Sequence, residues 1–121
     1  MGRVPARDGI LSSAWAPHAD LGDVDGALPG EFLWAALDCP TIWASWSTER
    51  PARFPSDSFT VLARQRLESL APVKVGEAVI VTAWPIHRDG RKYLSGAAIH
   101  DADRELLVRA ESLLVDVPRP A

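Results

Sequence analysis

The chain has 121 residues, 47% of them hydrophobic, which is enough for one domain with a buried core and excludes intrinsic disorder. Its net charge is −3 and its basic residues are scattered, which argues against a nucleic-acid partner, because nucleic-acid binding needs a basic patch. No apolar run reaches the roughly 20 residues of a membrane span, and no basic segment leads into an apolar signal region. We therefore expect a cytoplasmic protein that has no membrane partner.

The cysteine and histidine pattern predicts neither a disulfide nor a structural metal. Cys39 is the single cysteine, and no Cys/His spacing is typical of zinc ligation. Neither the composition nor the placement of Gly and Pro indicates a second domain, so we interpret residues 1–121 as one domain. Its ends, 1–8 and 118–121, are expected to be poorly ordered.

In chain order, the first elements are a strand and a loop. Residues 9–16 predict a strand that Pro17 stops. Residues 18–29 are rich in Asp and Gly and predict a loop with several turns. This loop leads to the longest apolar segment of the chain.

Residues 29–46 predict a helix that is apolar on nearly every side, which is typical of a helix inside a core. Pro40 removes a backbone donor and disfavours helical geometry at Cys39, so we expect a kink or a break there. Asp38 then has two interpretations: the N-cap of a second helical piece starting near Pro40, or an acid buried within the helix. A buried carboxylate costs several kcal/mol unless it is paired, so the second interpretation calls for a functional explanation.

Four strand-like runs follow, at 59–70, 78–87, 92–100 and 106–117. Asp89 and Gly90 form a strong hairpin-turn signal, and residues 101–104 form a weaker one. Short connections predict antiparallel neighbours, so we expect these four strands to form a meander. A twisted antiparallel sheet curled around one apolar helix is an α+β arrangement in which the helix fills the sheet.

This order of elements, with the sequence Pro-Gly-Glu-Phe-Leu-Trp-Ala-Ala-Leu-Asp at 29–38, resembles the hotdog-fold acyl-CoA thioesterases. The similarity is to the phenylacetate-pathway-like branch, in which a glycine opens the central helix and an acid two turns later performs the chemistry. Gly30 and Asp38 match those two positions, and residues 72–77 look like the turn that joins two strands in many hotdog proteins. The resemblance covers about residues 9–117.

The resemblance implies thioester hydrolysis at a site between two subunits of a homo-oligomer, either a dimer or a dimer of dimers. The helix start at Gly30 or Glu31 would offer backbone N–H groups to the thioester oxygen. Asp38, about 12 Å further along the helix, would come from the opposite subunit and act as general base or nucleophile. Alternatively, Gly30 only eases the loop-to-helix transition and Glu31 only complements the helix dipole.

Coenzyme A would enter as part of the substrate, and no separate cofactor is implied. Candidates for binding its phosphates are the basic residues at loop positions: Arg50, Arg53, Arg88, Arg91 and Lys92. Four tryptophans either line an acyl tunnel or simply fill the core: Trp34, Trp43, Trp46 and Trp84. The three histidines are widely spaced and are interpreted as surface or structural residues.

Two other functions stay open. A non-catalytic acyl or acyl-CoA-binding hotdog protein is favoured if the Asp38 carboxylate binds backbone N–H groups as a helix cap. A structural dimer module is favoured if no cavity reaches Asp38. A hydratase of this fold is disfavoured, because the resemblance would then require a histidine five residues after the acid, where this chain has Trp43.

Overall fold

The computed structural model describes residues 4–5, 10–47 and 58–118. Its elements are β1 (Val4–Pro5), β2 (Leu11–Trp15), a short 3₁₀ helix (Ala19–Leu21), α1 (Gly30–Ser47), β3 (Ser58–Ser69), β4 (Val79–Asp89), β5 (Lys92–Asp101) and β6 (Leu106–Pro118). The strands form one antiparallel sheet in the order β1-β2-β4-β5-β6-β3. The predicted α+β architecture of one antiparallel sheet and one long helix is confirmed.

The β4–β5 hairpin lies where the sequence predicts it, but its turn begins one residue later. Asp89 pairs with Lys92, so the two turn residues are Gly90 and Arg91. Gly90 has φ 59°, while Arg91 is not among the residues with positive φ. A glycine with positive φ at the first turn position is typical of a type II′ hairpin turn.

The β5–β6 turn, predicted at 101–104, is organised by one carboxylate. Asp101 Oδ1 accepts hydrogen bonds from the backbone N–H groups of Asp103 and Glu105, both at 2.9 Å. Arg104 is the one described residue other than glycine that has a positive φ, at 68°. The Asp101 side chain thus holds together a turn in which the chain adopts an unfavourable backbone conformation.

The predicted meander of four consecutive strands is wrong for the first of them, β3. Only β4, β5 and β6 are consecutive neighbours, and β3 pairs with β6 at the far edge of the sheet. The reason is that the other side of β4 is already taken by β2, where Leu11 pairs with Ala83. Residues 70–78 therefore cross the end of the sheet, where the N–H groups of Leu70 and Ala71 both donate to Leu107 O.

Helix α1 lies across one face of the sheet and packs mainly on β4 and β5. Its buried stripe contains Leu33, Leu37 and Ala44, spaced by four and seven residues as one helical face requires. This stripe meets the apolar residues that β4 and β5 direct inward, such as Val81 and Ile99, both at most 1% exposed. The core therefore lies between one helical face and one face of the sheet.

Of the kink or break predicted at Cys39, the break does not occur, because α1 is a single helix that contains Pro40 in its interior. Pro40 is buried, and it lines a small cavity with Leu11 of β2 and Val81 of β4. The next residue, Thr41, is fully buried and its hydroxyl donates to Leu37 O at 3.2 Å and Asp38 O at 2.7 Å. Local rules disfavour a proline inside a helix. Here the proline is found together with close packing against the sheet and with the hydrogen bonds of the Thr41 hydroxyl.

The prediction that α1 is buried on all sides is also wrong for the single chain. Phe32 is 36% exposed and Trp34 is 41% exposed, and because they stand two residues apart they lie on different sides of the helix. In the single chain, α1 is therefore open to solvent on more than one side. Within the described ranges, no helix is long and apolar enough to cross a membrane.

Candidate active site

Asp38 lies in the middle of α1, on the flank that faces the β6–β3 side of the sheet. Trp43 lies on the other flank, about 140° around the helix, where it shares a small cavity with Leu11 and Ser13 of β2. Since β2 and β3 stand on opposite sides of the sheet, the Asp38 flank points toward β3. The carboxylate is therefore directed toward the open edge of the sheet.

The Asp38 carboxylate is half-buried, and its Oδ1 atom is fully shielded from solvent without a hydrogen-bond partner among the described residues. The continuous helix therefore supports the second interpretation of Asp38, an acid buried within the helix, and excludes the first, the N-cap of a second helical piece. A buried oxygen left unpaired costs about 1 to 3 kcal/mol. Such a group is available to a ligand or to a second subunit.

The start of α1 offers two free backbone donors. Pro29 O accepts the N–H groups of Phe32 at 3.1 Å and Leu33 at 3.4 Å. The N–H groups of Gly30 and Glu31 have no acceptor in the described part of the chain. Gly30 is exposed and a Cβ there would meet nothing within 4 Å, so no crowding by the chain itself requires a glycine at this position.

Gly30 and Asp38 cannot meet the same substrate carbonyl within one chain. They stand eight residues apart on one helix, which places them about 12 Å apart along its axis. A hydrogen bond to the carbonyl oxygen and attack on its carbon each need a contact of about 3 Å. If both residues act on one thioester, they come from different copies of the chain.

The candidate phosphate-binding residues at the β4–β5 turn do not lie next to Asp38 within the single chain. Arg91 and Lys92 are exposed at the β4–β5 turn. This turn is far from the helix: Val81, which lines a cavity with Pro40 of α1, lies eight residues before the end of β4, which is roughly 27 Å along the strand. Arg50 and Arg53 lie outside the described residues.

The remaining candidates fall in different places. Trp34 is exposed on the Asp38 flank of α1, four residues before the acid. Trp84 lies on the opposite face of the sheet, where its indole covers Gly96, so it cannot line a tunnel beside α1. The Trp46 side chain lies outside the described part. Cys39, His18 and His87 are exposed, and His100 is half-buried.

One buried acid was not predicted. Asp116 of β6 is 6% exposed and accepts hydrogen bonds from Tyr93 Oη at 2.5 Å and Thr60 Oγ1 at 2.6 Å. The sequence signal was present, because Asp116 continues the inward register of Ser112 and Leu114. Among the described residues, no three His, Cys, Asp or Glu side chains are grouped closely enough to hold a metal ion.

Comparison by sequence finds no protein-family model and no curated protein that matches the chain. Comparison of structures finds many similar folds. The E. coli PaaI protein of the phenylacetic acid degradation operon superposes with a TM-score of 0.79 at 13% identity, over 96% of this chain and 78% of that one. A Streptococcus mutans UA159 protein bound to acetyl CoA gives a TM-score of 0.80 at 12% identity, over 98% and 90%.

A thioesterase superfamily protein gives a TM-score of 0.80 at 19% identity, over 93% of this chain. This chain spans about half of that protein, 54% of its length. At these identities the similarity establishes the fold, and the activity has to be argued from the site. The chain has the hotdog fold found in the thioesterase superfamily, as its helix sequence and element order predict.

Proposed function

We propose that this protein hydrolyses acyl-CoA thioesters at a site shared by two copies of the chain. The observation that carries the proposal is the Asp38 carboxylate, which is held inside a continuous helix with one buried, unpartnered oxygen. The hotdog fold supports it, since structural neighbours include thioesterases and a protein bound to acetyl CoA. The cap geometry that would favour a non-catalytic binding protein is not found.

The second copy would pair along β3, which is 12 residues long and has β6 as its only strand neighbour among the described strands. An open edge of this length is a ready template for another strand. Asp38 faces this side, and Trp34 on the same flank is 41% exposed in the single chain. A two-fold axis here would cover Trp34 and bring the partner's helix start toward Asp38.

In the general-base route, Asp38 takes a proton from water while the water oxygen attacks the acyl carbon. The thioester oxygen becomes an oxyanion that the N–H groups of Gly30 and Glu31 of the second copy stabilise. Collapse breaks the carbon–sulfur bond, and the CoA thiolate recovers the proton from Asp38. The products are a carboxylic acid and free coenzyme A.

In the nucleophilic route, an Asp38 oxygen attacks the acyl carbon and expels the CoA thiolate, which leaves an acyl anhydride that water then hydrolyses. Both routes need the same carboxylate and the same backbone donors. Arg91 and Lys92 are the described candidates for contacts with the coenzyme phosphates, with Arg50 and Arg53 as candidates outside the described part. Coenzyme A itself is part of the substrate.

Asp38→Asn tests the proposal, because it keeps the shape of the side chain and removes its basicity. We expect kcat on the best substrate from a panel of acyl-CoA esters to fall by roughly 10²- to 10⁴-fold, while CoA still binds in calorimetry. Asp103→Asn is the matched control, since its exposed side chain lies in the β5–β6 turn, and it should retain wild-type kcat. Undiminished hydrolysis by Asp38→Asn would exclude Asp38, and CoA binding by a wild type without hydrolysis would favour the binding protein.

A further inference from the structure

The inner face of the sheet, which lies against α1, changes from apolar to polar along its strands. Ala97 of β5 stands opposite Ala110 of β6, and both belong to the apolar core. At the next inward position of both strands, Ser95 stands opposite Ser112, and each is 0% exposed. Gln65 of β3 stands opposite Ser112 on its other side. Because residues directly opposite each other point to the same face, these three side chains form a polar row across three strands.

One member of this polar row has an unused hydrogen-bonding group. Gln65 Nε2 donates to Ser112 Oγ at 3.2 Å, so these two side chains are paired. Ser95 Oγ is shielded from solvent and has no hydrogen-bond partner within the described ranges, a state that it shares only with Asp38 Oδ1. A buried hydroxyl without a partner destabilises a fold, and an alanine at this position would avoid that cost. The hydroxyl of Ser95 therefore calls for a partner from outside the chain.

The polar row lies near the level of Asp38 but is separate from it. Pro40, two residues after Asp38, lines a cavity with Leu11 of β2, and Leu11 stands in line with Ala97 across β4. Ser95 is two residues from Ala97 in the direction of the β4–β5 turn, which is roughly 7 Å along β5. The row runs from β5 across β6 to β3, the side toward which the Asp38 flank points. A thioester that reacts at Asp38 would therefore reach Ser95 through its acyl group.

We propose that Ser95 binds a hydroxyl or carbonyl oxygen that the acyl group of the substrate carries at a carbon remote from the thioester. This inference rests on the proposed function and names its substrate class, oxygenated acyl-CoA esters. A serine hydroxyl can both donate and accept, so either kind of oxygen supplies the missing partner. A plain hydrocarbon chain would leave Ser95 Oγ unpaired, and it would be held better by apolar residues such as Ala97 and Ala110.

Binding of matched acyl-CoA esters tests the proposal. Asp38→Asn supplies a protein that does not consume them, and calorimetry gives Kd for hexanoyl-CoA, 6-hydroxyhexanoyl-CoA and 5-oxohexanoyl-CoA. We expect at least one oxygenated ester to bind about 10-fold or more tightly than hexanoyl-CoA, because its oxygen pairs with a group otherwise left unpaired. Adding Ser95→Ala should reduce this preference to about 2-fold or less. Adding Ser69→Ala instead is the matched control, since this exposed serine of β3 lies outside the row, and the preference should persist.

Unfolding in urea separates this role from a structural one. Because Ser95 Oγ makes no hydrogen bond within the described chain, Ser95→Ala is expected to keep or raise the free energy of unfolding. Ser112→Ala removes the bond to Gln65 and is expected to lower it. A clear loss of stability in Ser95→Ala would show that its hydroxyl is already bonded inside the chain, which contradicts the proposal.

Equal affinities for the three esters, or a preference that survives Ser95→Ala, would overturn the assignment of Ser95. Hydrolysis by the wild type reports separately on the catalytic proposal. Turnover without any preference would leave that proposal standing and remove this one, whereas preferential binding without turnover would do the reverse. Absence of binding for all three esters would overturn both.

Discussion

Gly30 and Asp38 stand on one uninterrupted helix, eight residues apart, and the helix start and the acid are thereby held about 12 Å from each other. Pro40, two residues after Asp38, does not divide this helix into two pieces. A fixed spacing of this size rules out joint action on one carbonyl within a chain. Catalysis by both residues thus depends on an assembly that brings two helices together.

The backbone donor at Gly30 can be removed without changing the helix. Proline is favoured at the first position of a helix, and a Cβ at Gly30 meets nothing within 4 Å. Gly30→Pro deletes the N–H group, and we expect kcat for acyl-CoA hydrolysis to fall by roughly 10²-fold or more with an unchanged melting temperature. Gly30→Ala keeps the N–H and should retain activity; equal activity of the two variants would remove this donor from the mechanism.

Gly96 is required by the indole above it. An alanine Cβ would lie 2.5 to 2.7 Å from three atoms of the Trp84 ring, so Gly96→Ala must displace that ring from the sheet. Overpacking of this kind typically costs about 1 to 3 kcal/mol, which urea unfolding measures. In a Trp84→Ala background the same substitution should cost little. A loss of the same size in both backgrounds would contradict the contact.

The Tyr93 hydroxyl stabilises a buried acid. It donates to Asp116 Oδ2 at 2.5 Å, and Asp116 is 6% exposed. Tyr93→Phe keeps the ring and removes this bond to a carboxylate, so we expect the free energy of unfolding to fall by about 1.5 to 3 kcal/mol. Thr60→Val removes the second hydroxyl that donates to Asp116, and it should lower the free energy of unfolding for the same reason. Stability within about 0.5 kcal/mol of the wild type for Tyr93→Phe would show that this bond contributes little.

The sequence was sufficient for the elements whose signals are local. The glycine at position 90 predicts the β4–β5 hairpin because a positive φ is needed in that turn. The apolar run after Pro29 predicts the helix, and its similarity to hotdog thioesterases points to Gly30 and Asp38. Strands β2 to β6 lie within two residues of their predicted bounds, since their composition and the turns between them define them, whereas β1 was not predicted.

The features that depend on distant contacts could not be predicted in this way. The pairing of β3 with β6 follows from the occupation of β4 by β2, which no local pattern encodes. Helix α1 continues through Pro40 at a place where it packs against Leu11 and Val81 and where Thr41 makes hydrogen bonds to the helix backbone. The strand register marks Asp116 as an inward residue, but its hydrogen-bond partner Tyr93 is known only from the fold.

The central claim is a site built from two chains, and mixing two inactive variants tests it most directly. Asp38→Asn lacks the acid, and Gly30→Pro lacks a backbone donor. A dimer that contains one chain of each has one complete site, formed by Asp38 of the second chain and Gly30 of the first. The variants are mixed in equal amounts, allowed to exchange subunits and assayed on the best acyl-CoA substrate.

With random exchange, half of the dimers are mixed and each has one of two sites intact, so we expect roughly a quarter of wild-type activity. Each variant alone should show on the order of 1% or less. Differently tagged chains verify that mixed dimers have formed. If mixed dimers are present and their activity is no higher than the average of the two variants, the shared site is contradicted.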